Sequence, residues 1–90
     1  MADLDADFKK AQDDLKTLTE RPSNEDLLQI YGLFKQATAG DVEGKRPGML
    51  DVKGRAKYDA WASLKGKSSD EAKTAYIAKV KAMLGKYSHS

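Results

Sequence analysis

Residues 39–50, AGDVEGKRPGML, decide which helical fold this chain can form. The stretch holds three glycines and one proline, and it separates two segments with helical periodicity. A structureless connection of about 12 residues is uncommon in a compact domain and often has a function. Pro47 and Gly48 fit the centre of a type II turn, in which the glycine takes a positive φ. Because Met49 and Leu50 are apolar, we predict a long connection that they anchor to the helices.

Helices are predicted on both sides of this connection. The helix before it begins at Ser23, which fits a capping box with the acid three residues later; Asn24 is a competing cap. Gly40 is a suitable end, and Asp51 can cap the helix after the connection, with Gly66 at its C-terminal cap. The predicted apolar faces are Leu27, Ile30, Tyr31, Phe34 and Ala37 in the earlier helix, and Val52, Ala56, Ala60, Trp61 and Leu64 in the later one.

Two outer helices complete the pattern. Pro22 ends the first, and a capping box from Ser68 to Glu71 begins the last. Their apolar faces are Leu4, Phe8, Ala11, Leu15 and Leu18, and then Ala72, Tyr76, Ile77, Val80, Met83, Leu84 and Tyr87. No segment alternates as a strand would. We therefore predict an all-α protein, by default an antiparallel four-helix bundle, formed by one domain over residues 1–90.

Composition narrows the class of protein. The chain has no cysteine, and its single histidine, His89, stands next to the end, where a frayed tail is expected. The N-terminal segment is acidic and lacks the features of a signal peptide, and no apolar run has the length of a membrane span. The sequence therefore predicts a cytoplasmic protein. Residues 1–45 carry ten acids and six bases, whereas residues 46–90 carry four acids and ten bases, so the second half could face an anion.

Nothing in the sequence supports catalysis or a metal site. There is no cysteine or well-placed histidine, and the paired serines Ser68 and Ser69 are explained by helix capping. No carboxylate falls on an apolar face, where its pKa could be shifted for acid–base work. Gly44-Lys45 is followed by Arg46 and preceded by no strand, so it is not a phosphate-binding P-loop. We predict that the protein is not an enzyme and has no cofactor or metal.

Lysines and aromatic rings offer a weaker signal for anion binding. Tyr31 and Lys35 are four residues apart and share one helix face, and Lys57 on the next helix could converge with them on one phosphate group. Spacing alone favours a buried ring and a lysine whose stem covers the core. Lys16 lies beside an apolar position, so basic residues beside a groove would suit a ligand with a charged head and an apolar tail. Phe8 and Tyr76 are predicted to belong to the core.

A binding module for nucleic acid or anionic membrane is the alternative. Lys53, Arg55 and Lys57 lie beside two aromatic residues, as in a surface that stacks on bases. The net charge is only +2 and the chain has fourteen acids, so a polyanion is a poor match. We therefore expect no nucleic-acid partner.

The stretch from Ile30 to Gly66, IYGLFKQATAGDVEGKRPGMLDVKGRAKYDAWASLKG, resembles the acyl-CoA-binding protein (diazepam-binding inhibitor) family. The resemblance extends through AYIAKVKAML (Ala75–Leu84) and back to Phe8, and it covers nearly the whole chain. It implies a four-helix bundle of up-down-down-up topology, with a long connection between helices two and three. It also implies an intracellular, monomeric carrier that binds long-chain fatty acyl-CoA, forms an acyl-CoA pool and serves acyl-CoA-using enzymes and, transiently, membranes.

The resemblance also implies roles for individual residues. Tyr31, Lys35 and Lys57 match residues at the adenine and the ribose 3′-phosphate, and Lys16 matches a lysine near the phosphates and pantetheine. The other matching positions are Tyr76, which closes the site, Phe8, which packs between helices one and four, and Leu27 and Leu28, which lie beside the acyl chain. The chain departs from the family at Gln12, usually alanine, and at Tyr58, usually tryptophan, which puts affinity and acyl preference in question.

Overall fold

The computed structural model describes residues 3–90, which form four helices: α1 (Leu4–Leu15), α2 (Asn24–Ala39), α3 (Val52–Ala62) and α4 (Ser69–Lys86). The all-α prediction is confirmed, since the only β-type pairing in this range is an isolated antiparallel bridge. Met1 and Ala2, which begin the predicted acidic N-terminal segment, lie outside the described residues.

The four helices run up, down, down and up, as expected for the family. Helix α4 packs against both α1 and α2, whereas α3 packs closely only against α2 within residues 3–90. Helices α1 and α4 are parallel, α2 is antiparallel to α4, and α3 is parallel to α2. For α1 and α4 the direction follows from the contacts Asp5–Lys73 and Phe8–Tyr76. For α2 and α4 it follows from Ser23–Tyr87 and Ala37–Ser69. For α2 and α3 it follows from Tyr31–Lys57 and Lys35–Trp61.

The core lies between α1, α2 and α4. Its buried hydrophobic residues are Phe8, Ala11, Ile30, Leu33, Ala37, Ala72, Tyr76, Val80 and Met83. Helix α3 contributes no buried residue, and Val52, predicted on its apolar face, is exposed. The reason is that α3 covers one side of α2 and has no third helix behind it. The side of α3 that faces away from α2 is therefore exposed to solvent.

Local signals set the helix ends correctly in most places. Ser23 rather than Asn24 caps α2, because the Ser23 hydroxyl accepts a hydrogen bond from the backbone N–H of Asp26. Ser68 and Glu71 form the predicted reciprocal capping box of α4. Gly40 ends α2 with a φ of 84°. The prediction for Gly66 was wrong by several residues, since α3 ends at Ala62 and Gly66 instead takes a positive φ in the connection to α4.

The connection from α2 to α3 is held differently from the prediction. Gly48 does not take a positive φ, so the predicted type II turn is wrong; the turn closes instead through a 3.0 Å hydrogen bond from the Asp51 N–H to the Gly48 carbonyl. Met49 and Leu50 are exposed and anchor nothing.

Polar contacts with α3 hold the connection in place. The Arg46 guanidinium donates two hydrogen bonds, of 2.9 and 2.7 Å, to the Asp59 carboxylate. The Tyr58 hydroxyl and the Trp61 indole N–H donate to the backbone carbonyls of Gly44 and Gly40, at 3.1 and 2.7 Å. The Arg46 guanidinium also lowers the pKa of the Asp59 carboxyl below its usual range. The anchors are therefore side chains of α3 and one arginine, not apolar residues.

The C-terminal tail is ordered rather than frayed. The Thr19 N–H donates to the Ser88 carbonyl at 2.9 Å, and the Ser90 N–H donates to the Thr17 carbonyl at 2.9 Å. These bonds form the bridge between Leu18 and His89. The prediction of a frayed tail was wrong because the tail pairs with the segment that follows α1.

Gly32 lies where α2 and α3 approach closely. A Cβ atom at this position would lie 2.7 Å from the Ala60 carbonyl oxygen and 2.9 Å from its carbonyl carbon. Backbone atoms cannot move aside as a flexible side chain can. We expect Gly32→Ala to lower the free energy of unfolding by about 1–3 kcal/mol, because the two helices must separate.

Urea denaturation measures this effect, and Gly85→Ala is the matched control. Gly85 is also in a helix, but a Cβ atom there would meet nothing within 4 Å. Alanine should be neutral or stabilising at Gly85 by up to about 1 kcal/mol, since glycine weakens a helix interior. Equal effects of the two substitutions would show that the close approach of α2 and α3 is not what requires glycine.

Candidate functional site

The parallel packing of α2 and α3 brings two lysines and two aromatic rings together. The Lys57 Nζ lies 5.5 Å from the ring centroid of Tyr31, and the Lys35 Nζ lies 4.9 Å from the ring centroid of Trp61. Each helix thus contributes one lysine and one ring, four residues apart. Both distances lie within the range of cation–π attraction. The rings hold the two ammonium groups on one side of the helix pair without neutralising them.

The charges of Lys35 and Lys57 are not used within the fold. Neither lysine forms an ion pair with any acid in residues 3–90, whereas neighbouring Arg46 is fully engaged with Asp59. Lys57 is exposed and Lys35 is half-buried. Ammonium groups in this state can donate hydrogen bonds to an anion without first breaking a salt bridge.

A groove of about 330 Å³ lies between the N-terminal halves of α2 and α3. Its floor is apolar, with Leu27, Leu28 and Ala56, and its rim is basic, with Arg21 and Lys57. Asn24, Val52 and Lys53 complete its lining. The groove therefore offers an apolar surface beside positively charged side chains.

A second groove of about 420 Å³ adjoins the first and reaches α1. It is lined by Lys16 and by Leu15, Leu18, Thr19, Glu20 and Pro22, and it shares Arg21 and Leu27 with the first groove. The Lys16 side chain is exposed and makes only a loose pair with Asp13, at 3.9 Å. Four of the residues selected from the sequence, Lys16, Leu27, Leu28 and Lys57, thus line two grooves that meet.

Phe8 and Tyr76 do not line either groove. Their rings pack edge to face in the core, with centroids 5.0 Å apart, and Tyr76 is 3% exposed. Burial raises the pKa of the Tyr76 hydroxyl. Phe34 packs against both rings from α2 and is partly exposed. This aromatic cluster supports the helix that carries Tyr31 and Lys35.

Three residues of the site were not among those predicted to bind the ligand. Lys53 was considered only for the nucleic-acid alternative, although its position four residues before Lys57 on one helix face could have identified it. Arg21 joins the two grooves, but its position before Pro22 carries no such signal. The role of Trp61 beneath Lys35 requires the register between α2 and α3, which sequence does not provide.

Each of the two residues that depart from the family pattern has a backbone partner in the structure. The Gln12 amide is 3.4 Å from the Phe8 carbonyl, one turn earlier in α1. The Tyr58 hydroxyl is bonded to the Gly44 carbonyl and so holds the connection. Tyr58 therefore has a structural partner, which a tryptophan would have to replace by other means.

In residues 3–90 no cluster of three or more histidine, cysteine or acidic side chains could hold a metal ion. None of the helices described here combines the length and the apolar character needed to cross a bilayer.

Comparisons with known proteins agree on one family. The family model described as "Acyl CoA binding protein" matches residues 5–80. The chain is 56% identical over 81 residues to a Brassica napus acyl-CoA-binding protein, covering 90% of this chain and 88% of that protein. It is 49% identical over 80 residues to a Drosophila melanogaster acyl-CoA-binding protein homolog, covering 89% and 93%.

Solved structures give the same result. The crystal structure of Oryza sativa acyl-CoA-binding protein 2 matches with a TM-score of 0.88 and 47% identity, over 92% of this chain and 90% of that one. An acyl-CoA-binding protein from Moniliophthora perniciosa matches with a TM-score of 0.84 and 39% identity, over 96% and 83%. Sequence and backbone therefore point to the same relatives.

Proposed function

The chain belongs to the acyl-CoA-binding protein family, and on this premise we propose that it binds long-chain fatty acyl-CoA esters as a carrier and pool former, not as an enzyme. The observation that carries the proposal is the pair of joined grooves, which combine an apolar floor with two lysines, Lys53 and Lys57, that have no acidic partner in residues 3–90. Acyl-CoA has the matching chemistry, since a long hydrocarbon chain is joined to a head with several phosphate charges.

Lys35 and Lys57 are proposed to bind the ribose 3′-phosphate of the ligand, with Tyr31 against the adenine. Phosphate oxygens accept short, charge-assisted hydrogen bonds from ammonium groups, and these are about twice as strong as neutral ones. Support comes from the position of the Lys57 ammonium above the Tyr31 ring, at 5.5 Å from its centroid. Lys16 is proposed to lie near the pyrophosphate and pantetheine, where the second groove opens.

The acyl chain is proposed to lie against Leu27 and Leu28. Burial of each methylene contributes about 0.8 kcal/mol, so about fifteen methylenes could contribute on the order of 12 kcal/mol before the costs of ordering are subtracted. Phe8 and Tyr76 pack against each other between α1 and α4. The role of closing the site, which the resemblance gives to Tyr76, is proposed to act from the core, through the contact of Tyr76 with Phe34 on α2. The head thus gives recognition, and the tail gives most of the affinity.

Titration calorimetry with acyl-CoA esters of increasing length tests the function. Each added pair of methylenes should strengthen binding by about tenfold until the grooves are filled, because burial of a pair contributes about 1.6 kcal/mol. Free CoA should bind far more weakly than the long esters, since it lacks the chain. The free fatty acid should also bind weakly, since it lacks the phosphates.

The outcome that would contradict the proposal is affinity that does not depend on the acyl chain. Purified protein should also release no free CoA from an acyl-CoA above background, because the sequence has no cysteine and no well-placed histidine to hydrolyse a thioester. Release of thiol would identify an enzyme instead.

The setting proposed for the protein follows from its ligand. We propose that it acts in the cytoplasm, as a monomer whose residues 1–90 form one ligand-binding domain. Its partners are proposed to be acyl-CoA-using enzymes and, transiently, the membranes into which acyl-CoA partitions. The acyl-CoA is the ligand, and neither a cofactor nor a metal takes part.

A further inference from the structure

A third groove lies between α2 and α3, further along both helices than the first groove. Its volume is about 490 Å³, against about 330 Å³ for the first groove. Four apolar residues form its floor: Leu28, Leu33, Ala60 and Leu64. Leu33 belongs to the buried core, whereas the other three are half-buried. The functional site described above makes no use of this apolar surface.

Leu28 joins the third groove to the ligand site, because its side chain lines both the first and the third groove. Helices α2 and α3 approach most closely one turn later, where a Cβ atom on Gly32 would lie 2.7 Å from the Ala60 carbonyl oxygen. Leu28 precedes that contact, and its half-buried side chain separates two open spaces. A leucine can change rotamer there without moving the backbone. The two grooves are therefore continuous at one side chain.

Charge decides which part of a ligand the third groove can take. Within residues 3–90 no base lines this groove, and its one charged lining residue is an acid, Glu25. Gln29 and Ser63, which complete the lining, are neutral. The Glu25 carboxylate repels phosphate and carboxylate groups, so neither the head of an acyl-CoA nor the charged end of a free fatty acid suits this groove. An uncharged hydrocarbon segment does suit it.

The floor of the first groove is short for a long acyl chain. It is formed by Leu27, Leu28 and Ala56. A chain of about fifteen methylenes can be buried only where apolar side chains continue beyond these three. The second groove is partly lined by charged side chains such as Lys16 and Glu20, which lose hydration when hydrocarbon covers them. The third groove is therefore the better continuation for the chain.

We propose that the third groove holds the terminal methylenes of long acyl chains, and that Leu28 marks the chain length at which they enter it. Shorter chains end before Leu28 and use the first groove alone. This inference rests on the acyl-CoA function proposed above, and it specifies the esters that the site selects, namely those whose chain extends past Leu28. Residues that line only the third groove then determine the preference for chain length, at a distance from the lysines that bind the head.

Nuclear Overhauser effects between isotope-labelled protein and unlabelled ester locate the end of the acyl chain. The terminal methyl group of eicosanoyl-CoA should show these effects with the methyl groups of Leu33 or Leu64. The terminal methyl group of octanoyl-CoA should show them only with residues of the first groove, such as Leu27. Contacts of the eicosanoyl end that are confined to the first and second grooves would overturn the inference.

Gln29→Trp tests the groove by filling it. Gln29 is exposed on α2, and its side chain makes one hydrogen bond, of 3.5 Å, to the Glu25 carboxylate, so the fold does not depend on it. By titration calorimetry, the affinity for eicosanoyl-CoA should fall about tenfold or more, because at least one pair of methylenes loses its place. Octanoyl-CoA should bind as tightly as it does to the parent, since its chain ends before the third groove.

Ala78→Trp is the matched control. It adds the same ring at an exposed position of α4 that lines none of the three grooves, and it should leave the affinity for both esters unchanged. An equal loss for both esters in Gln29→Trp would contradict the proposed role of the third groove. So would eicosanoyl-CoA binding to that variant as tightly as to the parent, or more tightly.

The same measurements separate this inference from the proposed function. Affinity that rises with chain length, with the chain end never in the third groove, would leave the carrier function standing and remove the inference. Affinity that does not depend on chain length would remove both. If the amide signals of Ser63 and Leu64 moved with protein concentration and not with ester, a second copy of the chain would cover the groove, and the inference would be wrong.

Discussion

Replacing both Lys35 and Lys57 by alanine should weaken binding of a long-chain acyl-CoA by about a hundredfold or more. A hydrogen bond to a charged group contributes about 1.5–3 kcal/mol, and each 1.4 kcal/mol is a factor of ten in affinity, so each lysine accounts for about tenfold or more. Titration calorimetry measures the change. The single variants should show that both lysines contribute, since both ammonium groups lack acidic partners in residues 3–90.

The loss must come from the ligand contact and not from unfolding. Both lysines are at least partly exposed, and their contacts with Tyr31 and Trp61 contribute about 0.5–1 kcal/mol each at such sites. The double variant should therefore keep its helical circular dichroism and most of its thermal stability. Free CoA should lose a similar factor in affinity, because the lysines meet the head of the ligand and not its tail.

A variant lacking Lys65 and Lys67 is the matched control. These lysines lie in the connection between α3 and α4, so their replacement by alanine removes the same charge beyond the C-terminal end of α3. Affinity should change little. Unchanged affinity in the Lys35/Lys57 variant, or an equal loss in the control, would remove the assignment of the 3′-phosphate to these two lysines.

The parts of the fold that sequence predicted depend on neighbouring residues. Ser68 and Glu71 are three residues apart, and the reciprocal cap they form needs nothing else from the chain. Gly40 ends α2 for a similarly local reason, since its positive φ is easy for glycine. Periodicity identified the four helices because one side of each had to be apolar. These features are present in any window of the sequence that contains the residues.

The errors fall where residues far apart in sequence meet. The tail at His89 was expected to fray, but it pairs with the segment around Leu18. Met49 and Leu50 were expected to be covered because they are apolar, but both are exposed, and hydropathy alone cannot tell a covered apolar residue from an exposed one. Asp26 was overlooked as a buried acid, because the groups that compensate its charge lie more than fifty residues later.

In the site, as in the fold, local features were predictable from the sequence and contacts between distant residues were not. Spacing placed Tyr31 and Lys35 on one face of a helix, and spacing alone favoured a structural role for them. The contact between Lys57 and Tyr31 depends on the parallel register of α2 and α3, which two separate helical patterns do not specify. Family resemblance supplied what spacing lacked, because a motif that extends across both helices carries their register with it.

Asp26 holds the N-terminus of α2 to the C-terminal end of α4. It is 6% exposed, and its carboxylate accepts hydrogen bonds from Lys79 at 2.7 Å, Lys86 at 3.2 Å and the Tyr87 hydroxyl at 2.5 Å. The hydroxyl of Tyr87 accepts in turn from the Ser23 N–H at 3.0 Å. The carboxylate is thus the centre of a network that joins two helix ends.

Asp26→Asn should lower the melting temperature at neutral pH by on the order of 10 °C, because the neutral amide no longer accepts charge-assisted hydrogen bonds from Lys79 and Lys86. Differential scanning calorimetry measures the change. Glu25→Gln is the matched control: it removes an exposed acid one residue earlier in the same first turn of α2, and it should have little effect. Comparable losses in both variants would point to the helix dipole and not to the network.

The dependence on pH gives a sharper test of the same network. Hydrogen bonds from Lys79, Tyr87 and Lys86 outweigh burial and hold the pKa of Asp26 far below its usual range. An acid with a lowered pKa stabilises the fold above its unfolded pKa, which is about 3.9 for aspartate, and this contribution disappears as pH falls toward the folded value. The difference in melting temperature between the parent and Asp26→Asn should therefore be constant above about pH 5 and shrink below about pH 4.

Other acids contribute equally to the parent and to Asp26→Asn, so their effect cancels in the difference between the two melting temperatures. The carboxyls of Asp41, Asp59 and Glu71 also have lowered pKa values, so both proteins should lose stability in acid. Only the parent has the Asp26 contribution to lose, so the two melting curves should converge as the pH falls. A difference that stayed constant down to about pH 2 would mean that the charge of Asp26 is not what stabilises the junction of α2 and α4.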